Sequence, residues 1–455
     1  MLAGCGGSNS VPPSQQGKTS SRSLVTKKHE SPPNIVIFYA DDAGWVDFGF
    51  QEHAAPDLAT LTPNIDLIAA EGVQCTQGYM SAIVCSPSRA GMLTGRYQQR
   101  FGHENNIPPG YMAGGMDLRQ LTIADRLRSM GYVTGIVGKW HLGYPPRYQP
   151  GARGFDEFVG LLQGSRGYYP IKDVTPHRVI QNNGTPLPEE GYVTDRFGDA
   201  ACAFIEEHRE EPFFLFVSFT APHGPMHPRK EDAAMLAELG IETQRRRRYA
   251  GMVYAMDQNV GKIMSALREN GLDENTVVVF TNDNGGQTLT GASNGPLRGR
   301  KAQVYEGGTR VPMVFRWPGH FPAGSRIDTP VSSLDFLPTC IELAGGDITE
   351  VPHDGVDIGS YLRGEEVGEI ERPLFWRHAG SQGDVAMLED DWKLVWRRRV
   401  DLDPELYDLS NDLGEQNDLA STEPERVNQM LEKIAVWEAS LVEPHWGPGS
   451  NTVGQ

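Results

Sequence analysis

Cysteine is scarce in this chain: Cys5, Cys75, Cys85, Cys202 and Cys340 are the five among 455 residues. None forms a CxxC pair, so neither a zinc ribbon nor a disulfide-built scaffold is expected. Positive charge is also in deficit. The 41 Lys and Arg stand against 59 Asp and Glu, a formal net charge of −18. Such a chain has no overall electrostatic reason to hold DNA or RNA, and a site for an anion would have to be a local exception. No apolar run approaches the ~20 residues of a membrane-spanning helix. The longest, around Pro212 to Phe219, has the length of a buried strand. There is no internal repeat. What is present is globular: 39% hydrophobic, 22% charged and 9% aromatic residues, which excludes wholesale disorder and collagen-like structure. The length suggests two or three domains. With 52 Gly and 32 Pro, long connections between elements are expected.

The first residues, Leu2-Ala3-Gly4-Cys5, resemble the box that ends a bacterial lipoprotein signal, where the Cys is lipidated. The charged and apolar stretches that precede such a box would then lie upstream of Met1. Residues 8–30, rich in Ser, Pro, Gln and Lys, read as a flexible tether. The expectation is a lipid anchor at Cys5 and a periplasmic or cell-surface protein, with residues 1–32 as leader and tether.

Order is expected from Pro33. Asn34 to Ala40 is a short, continuously apolar, β-branched run, the pattern of a strand buried on both faces. It runs directly into Asp41-Asp42. The same grammar recurs: Tyr132 to Val137 leads into Gly138-Lys139-Trp140-His141, Phe213 to Phe219 into Ala221-Pro222-His223, and Thr276 to Phe280 into Asn282-Asp283-Asn284. Helical spacing lies between, over Thr122–Met130 and Tyr249–Leu267. Alternating helices and buried strands predict an α/β domain with a mostly parallel sheet, over residues 33–366. Ligands bind at the carboxyl ends of such strands, and all four strands deliver polar or charged residues there. From Pro373 four short strand-like pieces and a helical segment, Glu423 to Leu441, predict a small antiparallel sheet carrying one helix, over residues 367–455.

Two carboxylates side by side at Asp41-Asp42, and Asp283-Asn284 at the end of another strand, suit a hard divalent cation bound by oxygen. Ca²⁺ or Mg²⁺ fits such donors better than zinc. Each pair taken alone reads rather as a turn after a strand, and it is their joint occurrence that favours a cation. Cys85 taken alone reads as a buried structural thiol. A tyrosine-phosphatase loop would need Arg at position 91, which is Gly.

Cys85-Ser86-Pro87-Ser88-Arg89, followed by Leu93-Thr94-Gly95-Arg96, closely resembles the signature of type I sulfatases. The resemblance extends from Pro33 to about Ala420. It takes in Asp41-Asp42, Thr62-Pro63-Asn64-Ile65-Asp66, Gly138-Lys139-Trp140-His141-Leu142-Gly143, Ala221-Pro222-His223 and Asn282-Asp283-Asn284-Gly285. It continues through Arg298-Gly299-Arg300-Lys301, Glu306-Gly307-Gly308-Thr309-Arg310 and Glu405-Leu406-Tyr407-Asp408-Leu409. One departure is Arg300-Lys301-Ala302, where relatives often carry Gly-Lys-Gly.

The resemblance implies an alkaline-phosphatase-like α/β fold with a small C-terminal sheet domain. It implies that a maturation enzyme oxidises Cys85 to formylglycine (3-oxoalanine), and that Asp41, Asp42, Asp283 and Asn284 bind Ca²⁺, with Mg²⁺ second, the modified Cys85 completing the shell. One hydroxyl of the hydrated aldehyde would attack sulfur and the other would later expel sulfate, a route closed to plain Ser or Cys. Arg89 and Lys139 would hold the diol, His141 would take its proton, and His223 and Lys301 would face the sulfate and the leaving oxygen.

His103, Arg166, Tyr168, Tyr169 and His177 lie where the family varies and builds substrate pockets, and are candidates for sugar contacts. The run Arg245 to Arg248 either grips a polyanionic sugar or is a solvated helix face. The expected activity is hydrolysis of a sulfate ester on a saccharide, such as an algal galactan like carrageenan. The alternatives are a phosphate or phosphonate ester hydrolase of the same superfamily and a non-catalytic surface binder of sulfated glycans.

Overall fold

Asn34–Ala40 is a strand in which every residue is buried, because its side chains alternate between two apolar layers. Ile35, Ile37 and Tyr39 join one core, and Val36, Phe38 and Ala40 the other. The computed structural model describes Met1, Gly4, Gly6, Gly7 and residues 32–450. The expectations about Cys5 and the tether over 8–30 fall outside the described residues.

The strand sits at the centre of a ten-stranded sheet. Parallel neighbours flank it, Phe213–Ser218 on one side and Thr276–Asn282 on the other. Beyond Phe213–Ser218 come Val133–Lys139 and Glu157–Leu161, also parallel. Beyond Thr276–Asn282 lies Met313–Arg316, which is antiparallel. The sheet is therefore mostly parallel in its middle and mixed toward its edges, an alkaline-phosphatase-like arrangement. The helices Val193–Glu207 and Gln244–Glu269 cover one face through Phe197, Ala201, Met252, Met256 and Val260. Cys85–Thr94, Ile123–Ser129 and Phe336–Leu343 cover the other through Met92, Leu93, Ile123, Leu127 and Leu337. No helix among the described residues is long and apolar enough to cross a membrane.

The Thr62-Pro63-Asn64-Ile65-Asp66 motif proves to be a fastening. Asp257, in the long helix, accepts the N–H groups of Asn64 and Ile65 at the start of Pro63–Ala70, where backbone donors have no helical partner. Asp66 accepts the N–H of Phe50 and the Thr62 hydroxyl.

The C-terminal sheet is a four-stranded antiparallel meander, Leu374–His378, Asp384–Glu389, Trp392–Trp396 and Glu405–Asp408. One face carries the helix Pro424–Glu438 through Met430, Ile434 and Trp437. The other presses on Ile83, Val84, Val304 and Tyr305, which immediately precede Cys85 and closely follow Lys301. The small sheet thus braces two segments that carry candidate site residues.

Candidate active site

Strand register decides which polar residues meet. Ala40 pairs with Asn282, and Tyr39 and Gly138 both lie level with Ser218. Four strands therefore end together, and Asp41-Asp42, Asp283-Asn284 and Lys139 emerge from three of them side by side. Gly138 permits this approach: a Cβ there would fall 1.9 Å from the Ser218 carbonyl oxygen. Cys85 opens a ten-residue helix that is buried throughout, so its side chain lies at the electropositive helix end. Arg89, four residues on, occupies the same face one turn along. Spacing and helix period together explain the Cys-x-x-x-Arg pattern.

The resulting cluster is tight. Lys139 Nζ is 2.5 Å from Asp41 Oδ2, and Arg89 reaches Asp283 at 3.1 Å and Asp41 at 3.6 Å, all of them fully buried. Arg89 also donates to the Ser218 hydroxyl. Lys301 Nζ stands 3.0 Å from Cys85 Sγ and 2.6 Å from Asp42. Cys85 Sγ is 3.6 Å from Asp41 Oδ1, and His223 Nε2 is 3.5 Å from Asp42 Oδ2. His223 donates from Nδ1 to the Gly224 carbonyl, 2.7 Å away; that acceptor fixes the tautomer, leaving Nε2 toward the site. Asp42 and His141 adopt left-handed backbone with φ of 67° and 63°, sparsely populated for side chains of this kind and common at functional sites.

Charge and burial set the protonation. Burial pushes the Cys85 thiol up to about 12, Asp283 adding to the effect. Burial opposes ionisation of Asp42, yet the Lys301 ammonium and His223 hold it well below the usual carboxylate range. Burial also works against the Lys301 charge, but Asp42 keeps that ammonium protonated far above its ordinary range. Burial lowers His223 to about 4 despite Asp42. His141 is driven well down by burial and by Lys139. Asp283 is raised by burial and by Asp41. Three cations thus face three carboxylates around a thiol that stays protonated.

The donors suit a hard cation. Asn284 donates from Nδ2 to Asp42 Oδ1 at 2.8 Å, while its buried Oδ1 has no hydrogen-bond partner. A buried amide oxygen left alone beside three carboxylates offers a donor to a divalent cation. Asp41, Asp42, Cys85 and His223 also present donor atoms within 4.8 Å of one another.

Asn294, which sequence reasoning did not single out, ties the loops together. Its Oδ1 accepts from Trp45 and Gly286, and its Nδ2 donates to Gly286 and Gly307. One amide thereby links the loop after Asp42, the loop after Asn284 and the turn that follows Lys301. A lone Asn in a Gly-rich loop carries no periodic signal that would mark it.

A cavity of about 350 Å³ opens over Cys85, His141 and His223, walled by Tyr144 and by residues 106–109 and 163–165. None of the five candidates for sugar contacts is part of its wall. His103 is buried behind the helix start, 2.7 Å from the Ser86 hydroxyl and edge-on to Trp446. Arg166 is buried and forks onto Glu189. The Tyr168 hydroxyl lies against the Thr220 and His223 carbonyls and steadies the segment bearing His223. His177 stacks on Tyr144 at 4.5 Å. Tyr169 lines a second cavity next door.

Residues 33–346 match the sulfatase family model. The chain belongs to the sulfatase family. Residues 300–438 match the model for the C-terminal part of N-sulphoglucosamine sulphohydrolase. The sulfatase is 34% identical to N-acetylgalactosamine-6-sulfatase of Mus musculus over 379 residues, 78% of this chain and 70% of the relative. It is 34% identical to arylsulfatase A of Homo sapiens over 468 residues, 90% and 88% of the two chains. Among solved structures it is similar to Ps i-CgsB in complex with k-i-k-neocarrahexaose, with TM-score 0.87 and 34% identity over 93% of this chain and 96% of that one. The protein is thus an enzyme that hydrolyses sulfate esters.

Proposed function

We propose that this sulfatase removes sulfate from a sulfated polysaccharide or its oligosaccharides, galactans such as carrageenan first. In this reading a maturation enzyme makes formylglycine from Cys85, and Asp41, Asp42, Asp283 and Asn284 hold Ca²⁺, with Mg²⁺ the less fitting ion. The observation that carries it is the state of Cys85. The site converges on a thiol raised to about 12, which is protonated near neutral pH and so is not a nucleophile. A site built around an inert thiol makes sense when that side chain is converted. The similarity to a structure solved with a neocarrahexaose supports a galactan substrate.

When present, the hydrated aldehyde supplies a hydroxyl nucleophile with its own route for expelling sulfate, and the cation supplies Lewis acidity. The chain's residues do the rest. Arg89 and Lys139 balance Asp41 and Asp283 and hold the side chain of residue 85 in line. Lys301, kept charged by Asp42, faces an incoming sulfate and stabilises charge that builds on it. His141, driven neutral, is set to take a proton from residue 85. His223 presents Nε2 to the site, and an arriving anion favours its protonation, which equips it to protonate a departing sugar oxygen. Three cations already match three carboxylates, so a divalent ion adds a surplus that a sulfate group can balance. The lipobox-like start supports a lipid anchor at Cys5 and a periplasmic or cell-surface location, where such polymers are met.

The test is to produce the chain with and without a formylglycine-generating enzyme and to supply a defined sulfated galactan oligosaccharide. Sulfate release and a Cys85 peptide carrying an aldehyde are expected together, and both should vanish in Cys85→Ala. Full turnover by a chain holding only thiol would overturn the reading.

A further inference from the structure

The second cavity, of about 590 Å³, is built from the continuations of two segments that wall the first. Residues 163–165 line the first cavity and Gly167, Tyr169 and Ile171 the second; His223 lines the first, and Met226, His227 and Pro228 the second. Two residues of chain span at most about 7 Å, so the cavities adjoin. Gly164 lets this segment pass close to the catalytic cluster: a Cβ there would fall 2.4–2.8 Å from the His141 ring.

The lining joins an apolar floor to positive charge. The Tyr169 ring is fixed, because its hydroxyl donates to the Pro228 carbonyl and accepts the Lys230 N–H. Ile171, Met226 and Pro228 extend the apolar surface. Lys230 Nζ lies 5.0 Å over the Tyr169 ring, and Arg248 joins from the long helix. In a chain of net charge −18, the lining of this cavity contains no carboxylate. Of the acidic residues nearby, Asp195 and Asp232 are taken up by Arg229 while Glu231 acts on Tyr169 through its charge, and among the described residues neither Lys230 nor Arg248 has a carboxylate partner. The arginine run therefore divides by role. Arg246 pairs with Asp47 and Asp57, Arg247 donates to the Ile241 carbonyl, and Arg248 is left facing the cavity.

We propose that this cavity is a subsite for the sugar next to the one being desulfated. Its ring would pack on the floor made by Tyr169, Ile171 and Pro228, and an anionic group on it would be read by Lys230 and Arg248. The inference rests on the saccharide reading above. It makes the enzyme selective for polymers charged on neighbouring rings, because an uncharged neighbour leaves both cations unmatched.

The test compares the parent with the Lys230→Gln/Arg248→Gln double variant on a sulfated galactan hexasaccharide and on 4-nitrophenyl sulfate, which has no second ring. The ratio of kcat/KM for the hexasaccharide over the aryl sulfate should fall about tenfold, through KM, and Arg248→Lys should keep most of it. A parallel arm with a chondroitin sulfate hexasaccharide tells a uronate carboxylate from a sulfate as the group held. Equal losses on both substrates, or an unchanged ratio, would overturn the subsite. Hexasaccharide affinity measured by calorimetry on the unconverted thiol form should weaken by a similar factor. If the parent turned over neither substrate, the saccharide sulfatase reading would fail, and this calorimetric comparison would still decide the subsite.

Discussion

Lys393 offers the sharpest test of how the small sheet supports the site. It lies in the strand Trp392–Trp396, is fully buried, and sends Nζ to Glu306 at 2.6 Å, to Glu415 at 3.6 Å and to the Thr309 hydroxyl at 3.2 Å. Glu306 is shared further with Tyr79 and Arg310. Replacing Lys393 by Met keeps the volume and removes the charge, leaving two buried carboxylates with Arg310 on only one of them. Breaking a buried pair in this way costs about 3–5 kcal/mol. At roughly 2.1 cal/mol/K per residue over some 420 residues, that is a fall of about 3–6 °C in Tm. The loss should depend on pH. Burial pushes Glu415 up to about 7, whereas Lys393 and Arg310 hold Glu306 below its ordinary value in spite of burial. A raised carboxylate contributes stability below its unfolded pKa that is lost as pH rises through the folded one. Removing Lys393 raises both carboxylates further, and they are neutralised more completely at pH 5 than at pH 8. Calorimetric melts should therefore show a larger loss at pH 8 than at pH 5. Adding Glu306→Gln to Lys393→Met should recover part of it. A shift below about 1 °C, or an equal loss at both pH values, would refute the argument.

Other outcomes can be checked in parallel. A sugar hydroxyl leaves poorly without a proton whereas a nitrophenolate does not, so His223→Ala should slow a sugar sulfate about 10²–10⁴-fold and an aryl sulfate far less; equal losses would reduce His223 to a binding residue. Lys301→Ala should damage both substrates, because in the proposed mechanism its charge faces the sulfate itself, and a loss confined to one would contradict that role. Chelation should abolish turnover with Ca²⁺ restoring it, and Asp41→Ala should weaken Ca²⁺ binding by calorimetry; full activity after thorough chelation would remove the metal's role. Ala302 is exposed with φ of 67°, where a Cβ costs about 1–2 kcal/mol. Ala302→Gly should therefore raise Tm by roughly 1 °C once the extra chain entropy of Gly is subtracted, and a lower Tm would show that the loop carries no such strain.

Much of this architecture is legible in the sequence, because buried strands and signature residues write themselves locally. Asn34–Ala40 reads as a strand with the same ends that the structure shows. The long helix reads as Tyr249–Leu267 but begins at Gln244, since its first turn is arginine and has no apolar period; Thr243 accepts the Arg246 N–H there and caps it. Pro424–Glu438 is shorter than its apolar stripe suggests. The antiparallel strand Met313–Arg316 is too short to announce its direction. In the site, Cys85, Arg89 and Lys301 follow from the motifs, and the structure brings them within one cluster. The walls at Tyr144 and Gln163 and the tie at Asn294 could not be read in advance, since single polar residues in loops acquire meaning only when distant segments meet. Ala302 is the converse: the departure from Gly-Lys-Gly is visible in the sequence, and its positive φ supplies the physical meaning.

The packing of the small sheet on Val84 and Tyr305 also sets an order of events during synthesis. Cys85 is 1% exposed in the folded chain, so in the proposed maturation the modifying enzyme would meet it before closure. The strands that pack behind Ile83 and Val84 begin at Leu374, nearly three hundred residues after Cys85. At about 5–20 residues per second of synthesis, the thiol has roughly 15–60 s of access before those strands exist. Under the proposed maturation, chain order would act as a timer. Adding a maturation enzyme to the folded thiol form should leave it unconverted, whereas nascent chains halted before Leu374 should be converted in full.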